Sequence, residues 1–470
     1  MSGPTSATIV WRVRGLGNDL NGGGVDTAIV VTDYSQQDAP QLTLTDVVCS
    51  GSTNITSAIG GFTSAMVGNA IWLNGSGATA GAYIITTYTN TNSVVIDRAP
   101  GTIAAGGGRV GGAWASPQTN IVTQMNAGQT CYWRGRGVAW PQGTADYTGA
   151  GYINFVNSPT RAGGSFTIIG EYGTPNIKWD GLMLSAWSAG NLVIENVYFS
   201  WSAANYPTFG IISSAGQTGP LILRKCVFDM GSFDTIAAGC NGGAPSGLIV
   251  EQCEFFGSGS SGTIHSNFIL GVGIFGSVVR NSIFRDSCAP IAIYMNNLGS
   301  AYNNTIVNCK AVGIKVDYSS DIYYQSVTKN TIYGCGTGIQ LANSSIVGTT
   351  VVAENIIANC STYGLSVISG TVALNKGIAA FVDYNMYYNN TANFNNISAG
   401  THDTVGVNPS FVSTTNNNTA QGGGYDFTPG AVTIGLGVPS QPLATNNNFP
   451  GAIAPKGGAG GTRVYATLLG

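Results

Sequence analysis

Charge is what this sequence has least of. Only 8% of its 470 residues are Asp, Glu, Lys or Arg, and the formal net charge is −3, about a third of the usual charged share. Surface helices need solvated, charged faces, so this supply argues against a helical protein. The missing basic field excludes duplex nucleic acid as an expected partner. His265 and His402 are the only histidines, which excludes metal sites rich in His. Cys is present nine times, an odd number, but never as C-x-x-C or in a Cys/His cluster with zinc spacing. No apolar run approaches the roughly 18 residues of a spanning helix, so no membrane span is expected. The opening MSGPTSATIVWRVRG has no basic stretch followed by a long apolar one, so no Sec-type signal peptide is expected. These absences together predict a chain folded in the cytoplasm with free, buried thiols, no cofactor and no metal.

What is present is Gly, at 68 residues, and a hydrophobic content of 43%. Short strands and tight turns use such a composition well, because Gly, Asn, Ser and Thr satisfy turn geometry. The stretch NNTIVNCKAVGIKV at residues 303–316 returns as KNTIYGCGTGIQL from Lys329 and as ENIIANCSTYGLSV from Glu354. With the Asn of NNT as anchor, comparable positions are Asn196, Lys225, Gln252, Asn281, Asn304, Asn330, Asn355 and Tyr384. The steps average about 27 residues and vary, which suits a solenoid whose loops differ while its strands stay stacked.

Columns emerge when the copies are aligned. Three residues after the anchor stand Phe199, Phe228, Phe255 and Phe284; five after it stand Cys309, Cys335 and Cys360. Adjacent strands lie about 4.8 Å apart, so equal positions stack side chain on side chain. The Phe and Cys columns read as interior ladders. The anchors Asn281, Asn304, Asn330 and Asn355 read as amides bonding along a turn, each to the next coil. Gly313, Gly338 and Gly364 each open a second strand. Two residues after the anchor stand Tyr198, Val227, Glu254, Ile283, Ile306, Ile332 and Ile357, of which Val227, Ile283, Ile306, Ile332 and Ile357 are aliphatic. Strict alternation turns this column outward, as a stripe for packing a homotrimer about a three-fold axis, unless a bulge at the turn buries both columns.

Anchored Asn, stacked aromatics and steps of 23 to 29 residues resemble the right-handed parallel β-helix of the pectate-lyase-like superfamily. The entry segments NAGQTCYWRGRGVAW and RAGGSFTIIGEYGTPNIKWDG look like first coils, and NPSFVS with YDFTPGAVTIGLG is similar to the way many such proteins close. The resemblance covers residues 126–437. It implies an all-β chain: a β-helix of about ten coils over residues 116–437, after a small β-rich domain at residues 1–115. An irregular Gly/Pro/Asn-rich tail follows at residues 438–470. AGGGRVGGAW reads as a Gly-rich joint between the first two parts. All eight Trp fall before Phe209, where they read as caps on the open end of the core or as an interface rather than as platforms for sugar rings.

The resemblance does not carry a reaction. Calcium-dependent elimination, the best-known activity of that superfamily, needs converging carboxylates and a basic residue. The outward column on its site strand reads here as His265, Ala292, Lys315, Gln340 and Ser366, without a carboxylate. Hydrolysis needs two carboxylates roughly 5 to 9.5 Å apart. Glu195, Glu251 and Glu254 are the weak candidates. Glu195 and Glu251 alternate with Arg224 and Arg280 just before the anchor, which reads as a surface ion-pair ladder.

The reading therefore leans against an enzyme. It favours a structural surface protein of a tailed phage virion (spike, fibre or capsid decoration), with the small β-domain resembling virion-attachment heads. Its expected partners are two further copies and other virion proteins through the N-terminal domain. Host-surface polysaccharide is a further partner that it allows. The alternative is a tailspike depolymerase, glycoside hydrolase or lyase, acting on capsule or lipopolysaccharide.

Overall fold

The structure is a computed structural model. It describes residues 3–115, 123–126, 128–135, 147–148, 153–154, 166–171, 176–179, 182–184, 192–201, 209–213, 220–229, 236–240, 247–257, 267–271, 277–287, 291–296, 299–317, 325–341, 350–368, 381–415 and 424–433. The chain forms two compact units. The first comprises Met1–Gly149, Ile153–Lys178 and Ala186–Val197; the second comprises Ala150–Tyr152, Trp179–Ser185 and Tyr198–Gly470.

The first unit holds a closed antiparallel barrel. Its strands run Leu42–Ser50, Asn54–Thr56, Ser93–Ile96, Gly81–Asn90, Ala70–Gly75 and Thr102–Val110 around the ring. Their alternating apolar residues, among them Leu44, Val47, Ile55, Ile71, Tyr83 and Ile103, fill the interior. The barrel does not precede the parallel structure as a separate domain over residues 1–115. Ile9–Arg14 already pairs in parallel with Thr130–Arg134, which pairs with Phe166–Glu171, which pairs with Leu192–Glu195. Parallel strands need a long crossover, and the first crossover carries the whole barrel. Nor is AGGGRVGGAW a free joint, because Thr102–Val110 is a barrel strand. A Cβ on Gly106 would sit 2.3 Å from the Asn74 carbonyl oxygen, so glycine there permits close packing. Trp11, Trp114 and Trp133 are fully buried, and Trp11 stacks on Trp114 at 4.5 Å.

The second unit is a parallel β-helix. One coil contributes Gly299–Tyr302 to a first sheet, Thr305–Cys309 to a second and Val312–Asp317 to a third; the next contributes Gln325–Thr328, Thr331–Tyr333 and Thr337–Leu341. Each strand pairs in parallel and in register with its counterpart in the following coil. The corner between the first and second sheets is made by one residue in the left-handed region: Lys225, Gln252, Asn281, Asn303, Lys329, Glu354 and Tyr384, with φ from 50° to 60°. Asn adopts this conformation more readily than other side chains do.

The residue after each corner points inward, giving Cys226, Cys253, Ser282, Asn304, Asn330, Asn355 and Asn385. From Asn304 onward this is an amide ladder. Asn304 Nδ2 donates to Asn330 Oδ1, Asn330 Nδ2 to Asn355 Oδ1, and Asn355 Nδ2 to Asn385 Oδ1, at 3.0, 3.0 and 2.9 Å. The ladder ends on Asp403, whose Oδ1 accepts from the Asn385 backbone N–H at 2.7 Å. Asn281 is not a rung. It makes the corner itself, and Ser282 takes the rung position, accepting the Cys253 N–H and donating its own N–H to Asn304 Oδ1. The anchors of the early and late coils thus differ by one residue.

That slip decides where the aliphatic column lies. Phe199, Phe228, Phe255 and Phe284 stack with centroids 5.2, 4.5 and 4.8 Å apart. Phe284 then pairs with Ile306, Ile306 with Ile332, and Ile332 with Ile357. Ile306, Ile332 and Ile357 are therefore the interior continuation of the Phe column and are fully buried. They cannot form an outward trimer stripe. Val227 and Ile283 belong to the neighbouring column, continued by Thr305 and Thr331, and are buried as well. Both columns are enclosed within the chain.

A second left-handed corner, at Asp286, Asn308, Gly334, Asn359 and Asn389, precedes Cys309, Cys335 and Cys360. These three are buried, free and stacked from coil to coil, with the Cys309 thiol against that of Cys335. Beyond it, a Cβ on Gly313 or Gly338 would lie 2.7 Å from the carbonyl oxygen of the next coil's glycine, so no larger residue fits. Phe411 and residues 425–427 lie against the second sheet, where Phe427 packs on Val307 and Tyr333, and the Tyr425 hydroxyl donates to Asp286 at 2.6 Å. The expected tail at 438–470 lies outside the described residues.

Candidate functional site

The outer face of the third sheet gathers the polar side chains best placed to meet a ligand. Its strands alternate, with Ile293, Ile314, Ile339 and Leu365 stacked inside and the following residue turned out. That column is Tyr294, Lys315, Gln340, Ser366 and Asn395; Ser366 is 3% exposed and covered, and the other four are partly exposed. Register places Tyr294 beside Lys315, where the sequence suggested Ala292. Ala292 is fully buried, and His265 lies outside the described residues. Tyr294 was hidden because the strands Ile291–Asn296 and Val312–Asp317 can be aligned only once their pairing is known.

Lys315 and Asp317 share a face because they are two residues apart on one strand. Lys315 Nζ lies 3.5 Å from Asp317 Oδ2 and 4.9 Å from the Tyr294 ring centroid. The Tyr294 hydroxyl donates to the same Asp317 oxygen at 2.9 Å. Burial pushes the Tyr294 hydroxyl well above its ordinary pKa, and the bond to Asp317 adds to the shift. Two coils on, Asn395 Nδ2 donates to Ser366 Oγ at 3.0 Å. The column therefore pairs one self-neutralised ionic group with a run of amides and a hydroxyl.

The carboxylates considered for hydrolysis have other occupations. Glu251 lies between two guanidiniums, 3.4 Å from Arg224 Nε and 3.0 Å from Arg280 Nη2. Arg280 also donates to the Tyr302 hydroxyl at 2.8 Å, which extends the ladder. Glu254 is buried, 3% exposed, and accepts from Arg285 Nε at 2.6 Å. Arg285 in turn lies over the Phe256 ring at 4.2 Å. Glu195 ends the strand Leu192–Glu195 of the first unit and is half-buried. A pairing that sequence reasoning missed joins Asp383 to His402, with Oδ2 and Nδ1 2.7 Å apart and the imidazole stacked on Tyr384 at 4.5 Å. Burial acts to raise the Asp383 carboxyl. The bonds from the His402 ring and backbone and from the Tyr384 N–H outweigh it and hold the carboxyl below its ordinary range.

Among the described residues, no group of three or more His, Cys, Asp and Glu side chains is placed to hold a metal ion. No helix among them is long and apolar enough to cross a membrane. Residues 184–376 match a family model described as a right handed beta helix region. With the parallel sheets of the second unit, the match makes this an all-β protein built on a right-handed parallel β-helix. No curated protein matches the chain.

Proposed function

We propose that this protein is a structural surface protein of a tailed phage virion, a spike, fibre or capsid decoration, that meets host-surface glycan without cleaving it. The observation that carries the proposal is the outer face of the third sheet, where the Gln340 and Asn395 amides and a closed Tyr294–Lys315–Asp317 group lie in one polar column. Polar side chains repeated at coil spacing suit a repeating, hydroxyl-rich polymer. Glu254 supports the non-cleaving reading: a carboxylate this buried and bonded to Arg285 cannot reach a glycosidic oxygen. Seven buried free thiols support folding in a reducing cytoplasm, with the virion surface as the final location. The barrel at residues 42–110 is the module proposed to meet other virion proteins. A homotrimer is part of the proposal, on a surface other than the buried Ile column.

Incubation with capsule and lipopolysaccharide from a panel of hosts, followed by sizing of the chains, tests the reading. Binding without shortening is expected. Shortening that disappears in an Asp/Glu variant would establish the depolymerase instead. Light scattering at micromolar concentration tests the trimer, and a monomer would remove it.

A further inference from the structure

We infer that the outer face of the third sheet takes an uncharged glycan strand rather than an acidic one, lying along the stack with about one sugar per coil. This rests on the reading that the face meets glycan and adds the chemical class of the ligand. Among the described residues of the column, Lys315 is the only cation. Its charge is spent within the site on Asp317 Oδ2 at 3.5 Å, the same oxygen that receives the Tyr294 hydroxyl at 2.9 Å. A uronate or sialate arriving here would meet the Asp317 carboxylate before it gained an unshared ammonium, and like charges at close range repel. Arg, the residue that grips carboxylates in bidentate fashion, is absent from the column, which continues as Gln340, Ser366 and Asn395.

Amides and hydroxyls both donate and accept, as sugar hydroxyls do, so they fit a neutral ring without a charge to balance. Their spacing adds a second match. Equal positions on adjacent coils are about 4.8 Å apart, close to the length of one pyranose unit in an extended chain. Gln340 and Asn395 lie two coils apart in register on this face, with Ser366, 3% exposed, covered between them, so alternate sugars of one strand would meet Gln340 and Asn395.

The experiment is affinity electrophoresis of the full chain in gels containing dextran, mannan or polygalacturonate, at low and high salt. Retention by a neutral polymer, little changed by salt, is expected. Gln340→Ala and Asn395→Ala should each weaken that retention about tenfold, while circular dichroism confirms that the variants fold. Asp317→Asn releases the Lys315 charge and should create salt-sensitive retention by polygalacturonate. Preference of the unaltered protein for polygalacturonate would overturn the inference while leaving glycan binding intact. Neutral retention indifferent to Gln340→Ala and Asn395→Ala would overturn the placement. An Asp317→Asn variant still blind to polygalacturonate would refute the charge argument. Passage through every gel without retardation would remove the underlying glycan reading as well.

Discussion

Asn330→Ala is the sharpest test of how the coils are held in register. Asn330 is fully buried. Its Oδ1 accepts from the Asn304 backbone N–H and from Asn304 Nδ2, both at 3.0 Å. Its Nδ2 donates to the Ala301 carbonyl at 2.9 Å and to Asn355 Oδ1 at 3.0 Å. Truncation leaves the Asn304 N–H without this acceptor in a dry corner, at about 1–3 kcal/mol, and removes two donated bonds at roughly 1 kcal/mol each. The expected loss is about 3–5 kcal/mol, read from guanidinium unfolding followed by far-UV circular dichroism. Tryptophan fluorescence alone would be a poor probe, since all eight Trp precede Phe209. Asn330→Asp separates the roles: it keeps the acceptor but turns a carboxylate toward Ala301 O and Asn355 Oδ1. It should therefore be at least as damaging at neutral pH and should recover in acid, where the protonated carboxyl can donate again. An Asn330→Ala loss below about 1 kcal/mol, within the range of a surface substitution, would refute the ladder as the register device.

Arg285→Met should destabilise by about 3–5 kcal/mol because it strands a buried Glu254 carboxylate, whereas Glu254→Met with Arg285→Met should cost less; a double-mutant cycle on chemical denaturation measures the difference. Seven of the nine Cys are buried free thiols, so the native protein should give at most two reactive thiols to Ellman's reagent and at least seven after denaturation. A higher native count would contradict the burial of the Cys columns. Asp383, held below its ordinary range on balance, contributes stability that is fully present above its unfolded pKa of about 4 and lost as pH falls through the lower folded value. His402→Ala should flatten that acid limb in unfolding midpoints measured from pH 7 down to about pH 2; an unchanged limb would show that the pair does not fasten the last coil.

Much of the architecture is legible in the sequence. Low charge and abundant Gly point to strands and turns, and Phe199, Phe228, Phe255 and Phe284, each three residues after its anchor, stack on one another. Gly313, Gly338 and Gly364 recur because the next coil's backbone occupies the space of a side chain. The rest is obscured by local ambiguity. Residues 303 and 304 are both Asn. One makes the left-handed corner and the other the interior rung, and Asn suits both places. Anchoring on the wrong member slipped the late coils by one residue against the early ones. A slip of one turns every side chain to the opposite face, which is how a buried Ile column came to look like an exposed stripe.

The sequence by itself determined that coils form and stack, because a repeat whose apolar faces cannot be satisfied alone must bury them against its neighbours. Tertiary structure alone decided which coil positions share a column, since register is a property of paired strands and not of either strand. It also brought together pieces with no local trace of one another: Ile9–Arg14 beside Thr130–Arg134 across an inserted barrel, Asp383 against His402, and Tyr294 against Asp317 on the face that would meet a ligand. Each depends on chain closure over many residues, and the free energy that holds it arises only after the intervening structure has folded.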